Sequence, residues 1–101
     1  MSEASVRAGE AGEVLLAGVI DYSTGPALRK DGQALIKASP APALVVDCAA
    51  VEKSSSVGLA LLLAFMRDAA EAGKSLNIRA MPQDMREVAE VSELTEILGV
   101  H

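Results

Sequence analysis

Four short runs of apolar residues have the composition of β-strands. Glu13–Ile20 is rich in β-branched and aliphatic residues and lies between Gly12 and Asp21, as expected of a central strand. A run that alternates apolar and polar residues near position 76 is typical of a strand with one buried face. The pattern predicts strands at Ser5–Ala8, Glu13–Ile20, Ala43–Asp47 and Lys74–Arg79, the first of them a short edge strand.

Helical periodicity separates these strands. One face of Gly25–Ala38 is apolar or small, while Pro26 suits the start of a helix and Pro40 its end. A second helix is predicted at Ser56–Ala72, because ten uncharged residues follow the serines and Gly73 suits its C-terminal end. A third begins after Pro82, with Met85, Val88, Ala89 and Ser92 as its inner stripe, and a last turn follows at Leu94–Leu98.

The order of these elements predicts the fold class. Strands separated by helices need crossover connections, which place mostly parallel strands next to one another in one sheet. We therefore expect an α/β fold with a mostly parallel sheet of four to five strands and helices packed on it. A chain of 101 residues suits a single domain spanning residues 1–101.

Composition and charge exclude several classes of function. Nine basic against fourteen acidic residues give a net charge of −5, which argues against nucleic acid or anionic lipid as a partner. The longest apolar run is about half the ~20 residues that a membrane-spanning helix needs, so no direct membrane insertion is expected. A single Cys48 and an amino terminus without a secretory pattern predict cytoplasmic residence.

The residues available for catalysis are few. The one histidine is the terminal His101, so neither a histidine-based triad nor a histidine metal cluster can form, and Cys48 fits a small buried residue. The phosphate-binding pattern GxxxxGK is absent. We expect no catalytic residues, no metal and no cofactor, and therefore a protein that is not an enzyme.

Three consecutive serines, Ser54, Ser55 and Ser56, mark the start of the second helix. Backbone N–H groups at a helix start are unpaired and partly positive, so a hydroxyl there can cap the helix. One serine is enough for that purpose. The others are therefore candidates for a partner-binding surface or for modification, and both interpretations stay open at this point.

The apolar stretch after the serines is wider than one helix face. Leu61 and Phe65 form an i, i+4 pair turned about 100° or more away from the main apolar stripe. A two-layer domain need not cover them, although such stretches are more often plain core. We expect Leu61 and Phe65, with Val57, to form an exposed apolar edge at which a partner binds.

Two carboxylates follow predicted strands. Asp21, with Thr24 nearby, follows the second strand, and Asp47 ends the third. Such residues usually form turns and caps, and we assign Asp21 and Thr24 to a strand-end turn.

At two places the chain resembles the STAS domain family. Leu16-Ala17-Gly18-Val19-Ile20-Asp21, with Thr24, is similar to the Gly-x-Leu-Asp strand end of that family. The second and more specific stretch runs from Val45-Val46-Asp47-Cys48 through the serines to Gly58-Leu59. Gly58-Leu59-Ala60-Leu61-Leu62-Leu63 looks like the helix start in the small soluble subunit of the bacterial phospholipid-trafficking (maintenance of lipid asymmetry) ABC transporter. The resemblance covers nearly the whole chain.

The resemblance implies specific roles. Ser56 occupies the position of the family's phosphorylatable or partner-contacting hydroxyl, whereas Ser55 stands where Asp is usual and Val57 replaces a small residue. These two differences weigh against phosphorylation. The implied function is that of a non-catalytic cytoplasmic subunit, peripheral at the inner membrane, that binds and stabilises or regulates the transporter's ATPase.

Two alternatives stay open. The first is an anti-sigma factor antagonist, released from its partner kinase by phosphorylation of Ser56. The second is a module that binds a small ligand or nucleotide.

Overall fold

The computed structural model of the chain describes residues 4–54 and 56–94. This part of the chain forms, in order, β1 (Ser5–Ala8), β2 (Glu13–Ile20), α1 (Gly25–Ala38), β3 (Ala43–Ser54), α2 (Ser56–Glu71), β4 (Ser75–Arg79) and α3 (Gln83–Val91). The α/β class and the order of elements are as predicted. The expected last turn lies, beyond Leu94, outside the described residues.

The four strands form one sheet in the order β1-β2-β3-β4. β1 pairs with β2 in antiparallel fashion, whereas the β2–β3 and β3–β4 pairs are parallel. The prediction of a mostly parallel sheet is therefore confirmed. The crossovers between parallel strands are α1 and α2, and these helices carry the chain back across the sheet.

β3 is longer than the sequence pattern predicts. We expected it to end at Asp47, but it continues to Ser54 because the second half of β2 remains available for pairing. Gly18 pairs with Val51 and Ile20 with Ser54, and a register shift precedes each of these pairs. Gly18 has a positive φ of 91°. A non-glycine residue rarely adopts that conformation. The extension places Ser54 at the carboxyl end of β3, beside the end of β2.

Helices and sheet enclose one aliphatic core. In β2 every second residue is buried, including Val14, Leu16 and Ile20, and these side chains join buried residues of all three helices. The alternate residues lie on the opposite face, where Arg79 forms ion pairs with both Glu13 and Asp47. The sheet thus has a packed face and a charged face, as period-2 alternation requires.

α1 packs beside α2, and this contact overturns one expectation. Leu61 is 4% exposed and Phe65 is fully buried, so the prediction that they form an exposed edge is wrong. The physical reason is Gly32 of α1, where the absence of a side chain lets the Phe65 ring approach the helix backbone. The sequence pattern of α2 alone does not show that α1 covers this face.

The inner stripe of α3 is narrower than predicted. Met85 and Ala89 are buried, as expected, but Val88 and Ser92 are exposed. The helix ends at Val91, so Ser92 is its C-terminal cap and no longer part of a helical face. An i, i+4 pair is sufficient to anchor a helix of nine residues to the core.

Candidate functional site

The carboxyl ends of β2 and β3 lie side by side at one end of the sheet, next to the starts of α1 and α2. Ile20 pairs with Ser54 in parallel register, which brings the two turns together. We call residues 21–24 the strand-end turn and Ser54 with Ser56 the serine turn. Ligand sites of open α/β sheets form at this edge, because the loops there are close to one another and to helix N-termini.

The strand-end turn is held by hydrogen bonds within itself. Asp21 Oδ1 accepts hydrogen bonds from the Ser23 backbone N–H at 2.8 Å, the Ser23 hydroxyl at 2.6 Å and the Thr24 N–H at 3.1 Å. The Thr24 hydroxyl donates to the Val19 carbonyl at 3.0 Å and accepts from the Asp21 N–H at 3.0 Å. Asp21 and Thr24 therefore shape the entry into α1, as a turn-forming role requires.

The same hydrogen bonds act on the carboxylate. Donation by the Ser23 hydroxyl and backbone, and by the Thr24 backbone, stabilises the charged form and holds the pKa of Asp21 below its ordinary value of 3.8. Asp21 thus remains charged at neutral pH. Its acceptor oxygen is used to hold the turn, which does not suit a general base.

The serine turn contacts α3. Ser54 ends β3 half-buried, and both its N–H and its hydroxyl donate to Asp84 Oδ2 at 3.4 Å. Ser56 is the first residue of α2 and is exposed, while Ser55 lies outside the described residues. The first turn of α2 contains no acidic residue. Asp84 therefore brings a carboxylate close to a helix start that favours negative charge.

Gly58 lets α3 approach the first turn of α2. A Cβ at this position would lie 2.9 Å from the Ser54 Cβ and 3.0 Å from the Met85 Cε. Real Cβ atoms are rarely so close to another atom, so a larger residue would push α3 or the end of β3 away. The glycine that the family resemblance singled out is thus explained by packing at the serine turn.

An apolar groove of about 340 Å³ lies between the start of α1 and the first half of α2. We call it the α1–α2 groove. Val57 and Leu61 form part of its wall, and Tyr22, whose side chain is 85% exposed, stands at its rim. Its lining consists of Tyr22, Gly25, Pro26, Arg29, Val57, Ala60, Leu61 and Ala64. Two of the three residues predicted as an apolar edge thus belong to a groove, although Phe65 does not.

The groove adjoins both turns. Tyr22 belongs to the strand-end turn, and Val57 directly follows Ser56. A Cβ at Gly25 would lie 3.0 Å from the Val57 Cγ1, so the two helix starts are in close contact. The structure thereby brings together the serine turn, the strand-end turn and two of the predicted apolar residues.

Arg29, at the wall of the groove, forms an ion pair with the buried Asp68 of α2. Gln33 Nε2 donates to the second carboxylate oxygen at 3.2 Å. Asp68 is 1% exposed. Both donors named here, Arg29 and Gln33, belong to α1. Burying an uncompensated carboxylate is costly, which makes this cluster a clamp between the two helices.

Cys48 and Asp47 of β3 are both held within the fold. Cys48 is buried, as predicted, and burial raises the pKa of its thiol to about 12, which leaves it protonated and unreactive. Asp47 is engaged by the Ala49 N–H at 2.8 Å and by Arg79 at 2.8 Å. Within residues 4–54 and 56–94 no group of three His, Cys, Asp or Glu side chains could hold a metal ion. In the same residues no helix is long and apolar enough to cross a membrane.

Sequence reasoning missed two contributors to this edge. Asp84 was not among the candidate residues, yet it contacts Ser54, which lies 30 positions earlier. Tyr22 drew no attention as a surface residue. No local pattern links Asp84 to Ser54, but an exposed aromatic residue between two turn-forming residues is a signal that could have been noticed.

The chain is similar to one protein family and to several solved structures. The family described as "Mlab, STAS domain" matches residues 4–99. Among curated protein sequences, none matches significantly. Of the solved structures, an anti-sigma factor antagonist from Mycobacterium paratuberculosis is 28% identical, with a TM-score of 0.76, over 100% of this chain and 86% of that one.

Two further structures are informative. A chain of the Acinetobacter MlaFEDB complex, in its ATP-bound Vtrans2 conformation, is 25% identical with a TM-score of 0.78, over 88% of this chain and 93% of that one. The anti-sigma factor antagonist SpoIIAA in its unphosphorylated form is 16% identical with a TM-score of 0.72, over 93% and 84%. At that identity the likeness to SpoIIAA concerns the fold. Since the family match spans nearly the whole chain, the protein belongs to the STAS domain family, in its MlaB-type branch.

Proposed function

We propose that this chain is the non-catalytic STAS subunit that binds and stabilises the ATPase of an ABC transporter moving phospholipid between the two bacterial membranes. The proposal is supported by the MlaB description of the matching family and by the likeness to a chain of the MlaFEDB complex. In this role the protein is cytoplasmic and reaches the inner membrane through its partner. It uses no cofactor and performs no chemistry of its own.

The observation that carries the proposal is the position of Ser56. Ser56 is exposed at the N-terminus of α2. The next residue, Val57, lines the apolar α1–α2 groove. A hydrogen-bonding group beside an apolar recess suits a protein partner that inserts a side chain and fixes its orientation. The module stabilises the ATPase state that it binds more tightly, because binding shifts an equilibrium only through such a difference.

A charged residue in the groove tests this proposal. Ala60 is exposed and lines the groove, so Ala60→Arg fills it without disturbing the core. Ala70→Arg is the matched control, since Ala70 is also exposed on α2 and lies about 15 Å further along the helix. Both variants are co-expressed with the transporter ATPase of the same genome and purified together at moderate salt.

We expect Ala60→Arg to weaken the complex by about tenfold or more, as interface substitutions at central positions do. Ala70→Arg should co-purify like the wild-type chain. Failure of the wild-type chain to hold the ATPase would refute the proposal. Equal binding by Ala60→Arg and wild type would show that the partner does not use the groove.

The second candidate function is an anti-sigma factor antagonist. It is favoured by the 28% identity, over the whole chain, to the antagonist from Mycobacterium paratuberculosis and by the exposure of Ser56. A phosphate there would add about two negative charges at the N-terminus of α2, which the fold tolerates but an acidic partner surface does not. Intact-mass analysis after incubation with the anti-sigma kinase of the same genome separates the two candidates. This alternative requires one added phosphate that is lost in Ser56→Ala.

A further inference from the structure

The outer face of α3 carries two exposed valines in an acidic setting. Val88 is 37% exposed and Val91 is 87% exposed. With Asp84 and Glu87 they form an i, i+3, i+4, i+7 stripe, which lies on one side of a helix. This stripe is distinct from Met85 and Ala89, which anchor the helix to the core. α3 therefore has a second face, partly apolar, that the described part of the domain does not cover.

A groove of about 410 Å³ follows this stripe. Its lining residues are Asp84, Glu87, Val88, Val91 and Ser92. Among the described residues that line it, two are carboxylates and none is basic, in a chain whose net charge is −5. We call this surface the α3 face. Its charge complements a segment that carries Lys or Arg beside aliphatic residues, because opposite potentials across an interface speed association and select partners.

The α3 face is continuous with the serine turn. Asp84 stands at one end of the stripe and accepts the hydrogen bonds of the Ser54 N–H and hydroxyl at 3.4 Å. Met85, its neighbour on the buried side, lies against the position that a Gly58 side chain would occupy. α3 is thus seated on the first turn of α2, and a partner that contacts Ser56 lies next to the stripe.

We infer that the α3 face is a second docking surface and that it receives a basic, aliphatic segment of the same ATPase. The inference rests on the proposed function and adds the chemistry of the partner. The aliphatic side chains cover Val88 and Val91, and the cations pair with Asp84 and Glu87. The serine turn and the α1–α2 groove form one part of the interface, and the α3 face forms the other.

Charge reversal on α3 tests the inference. Glu87→Lys reverses a charge in the groove, whereas Glu90→Lys makes the same change at an exposed position of the same helix that is not part of the groove lining. Both variants alter the net charge equally, so a difference between them reports a local contact. Dissociation constants for the purified ATPase are measured at low and at high salt.

We expect Glu87→Lys to weaken binding by about tenfold at low salt and Glu90→Lys by less than about threefold. The difference should shrink at about 1 M salt, where charges are screened within ~3 Å. Val91→Ser should weaken binding, and Val91→Ile should retain it, since the side chain is exposed and has no core role. Circular dichroism confirms that each variant is folded.

The outcomes separate this inference from the proposed function. If Glu87→Lys and Val91→Ser bind like the wild-type chain while Ala60→Arg is weakened, the α3 face is not part of the interface and the proposed function stands. Equal weakening by Glu87→Lys and Glu90→Lys also overturns the inference, because net charge then explains the effect. If the wild-type chain does not bind the ATPase, both proposals fail together.

Discussion

Gly32 of α1 faces the ring of Phe65 of α2 with no room for a side chain between the two helices. A Cβ at position 32 would overlap Cε1 and Cζ of the ring, which is itself fully buried. Glycine within a helix is ordinarily less stable than alanine by about 1 kcal/mol. The close approach of the two helices therefore outweighs this preference.

Gly32→Ala should destabilise the protein although it raises helix propensity. The added methyl group forces Phe65 or α1 to move, and overpacking of this kind costs about 1–3 kcal/mol. We expect a lower free energy of unfolding in urea. Phe65→Leu in the Gly32→Ala background should recover part of that loss, because it removes the ring that clashes. A more stable Gly32→Ala variant would contradict the described packing.

The ion pair between Arg29 and Asp68 makes a second prediction. Arg29→Met leaves the carboxylate of Asp68 buried with Gln33 as its described hydrogen-bond donor. Removing one partner of a buried pair is strongly destabilising, and because Arg29 is partly exposed we expect about 2–3 kcal/mol. The double variant Arg29→Met, Asp68→Leu should recover most of this loss in urea unfolding. Additive losses in the double variant would argue against a direct interaction.

Lys74 closes the C-terminal end of α1. Its Nζ donates to the Ile36 carbonyl at 2.6 Å and to the Ser39 carbonyl. Lys74→Met should lower the free energy of unfolding by about 1–2 kcal/mol, since carbonyls at the helix end lose a charged donor. Lys37→Met is the control, because Lys37 is an exposed cation in the same last turn. Equal effects of the two substitutions would show that charge alone matters.

The strand-end turn makes the free energy of unfolding of the domain depend on pH. Hydrogen bonds from Ser23 and Thr24 hold the pKa of Asp21 below 3.8, so the folded state binds its proton less readily than the unfolded chain. The stabilisation is complete above pH 3.8 and is lost as the pH falls through the lower folded pKa. Asp21→Asn removes the charge and retains an acceptor. At pH 6 the free energy of unfolding of this variant should be lower than that of the wild type. The difference should shrink as the pH falls below 3.8.

Urea midpoints at pH 6, 4 and 3 measure this deficit. Asp31→Asn, an exposed carboxylate on α1, controls for the change in net charge. A deficit of Asp21→Asn that is constant over the whole pH range would contradict the role assigned to the charged form.

Gly and Pro residues mark the ends of helices and strands, and this made much of the fold predictable. The bounds of α1 agree with the prediction because Gly25-Pro26 and Ser39-Pro40 restrict the backbone at both ends. β2 was equally clear from its β-branched residues. The extension of β3 to Ser54 was not predictable, since Ala49–Lys53 is largely polar or small and becomes a strand by pairing with the end of β2.

The candidate site was predictable where it depends on local sequence. Ser56 lies at the start of α2 and the strand-end turn follows β2, as the pattern predicts, because strand ends and helix starts are encoded locally. The burial of Phe65 depends instead on Gly32, 33 positions away, and the contact of Asp84 with Ser54 spans 30 positions. Such contacts follow from how elements pack, which a hydrophobic pattern does not specify.

The buried thiol of Cys48 can be used to measure how often the sheet opens. This thiol is buried in β3, directly after Asp47, which pairs with both β2 and β4. Alkylating reagents attack a thiolate, so labelling waits until the strands separate. Because the chain has one cysteine, the speed of alkylation counts those separations at a single atom, and a bound partner that holds the domain together slows the reaction.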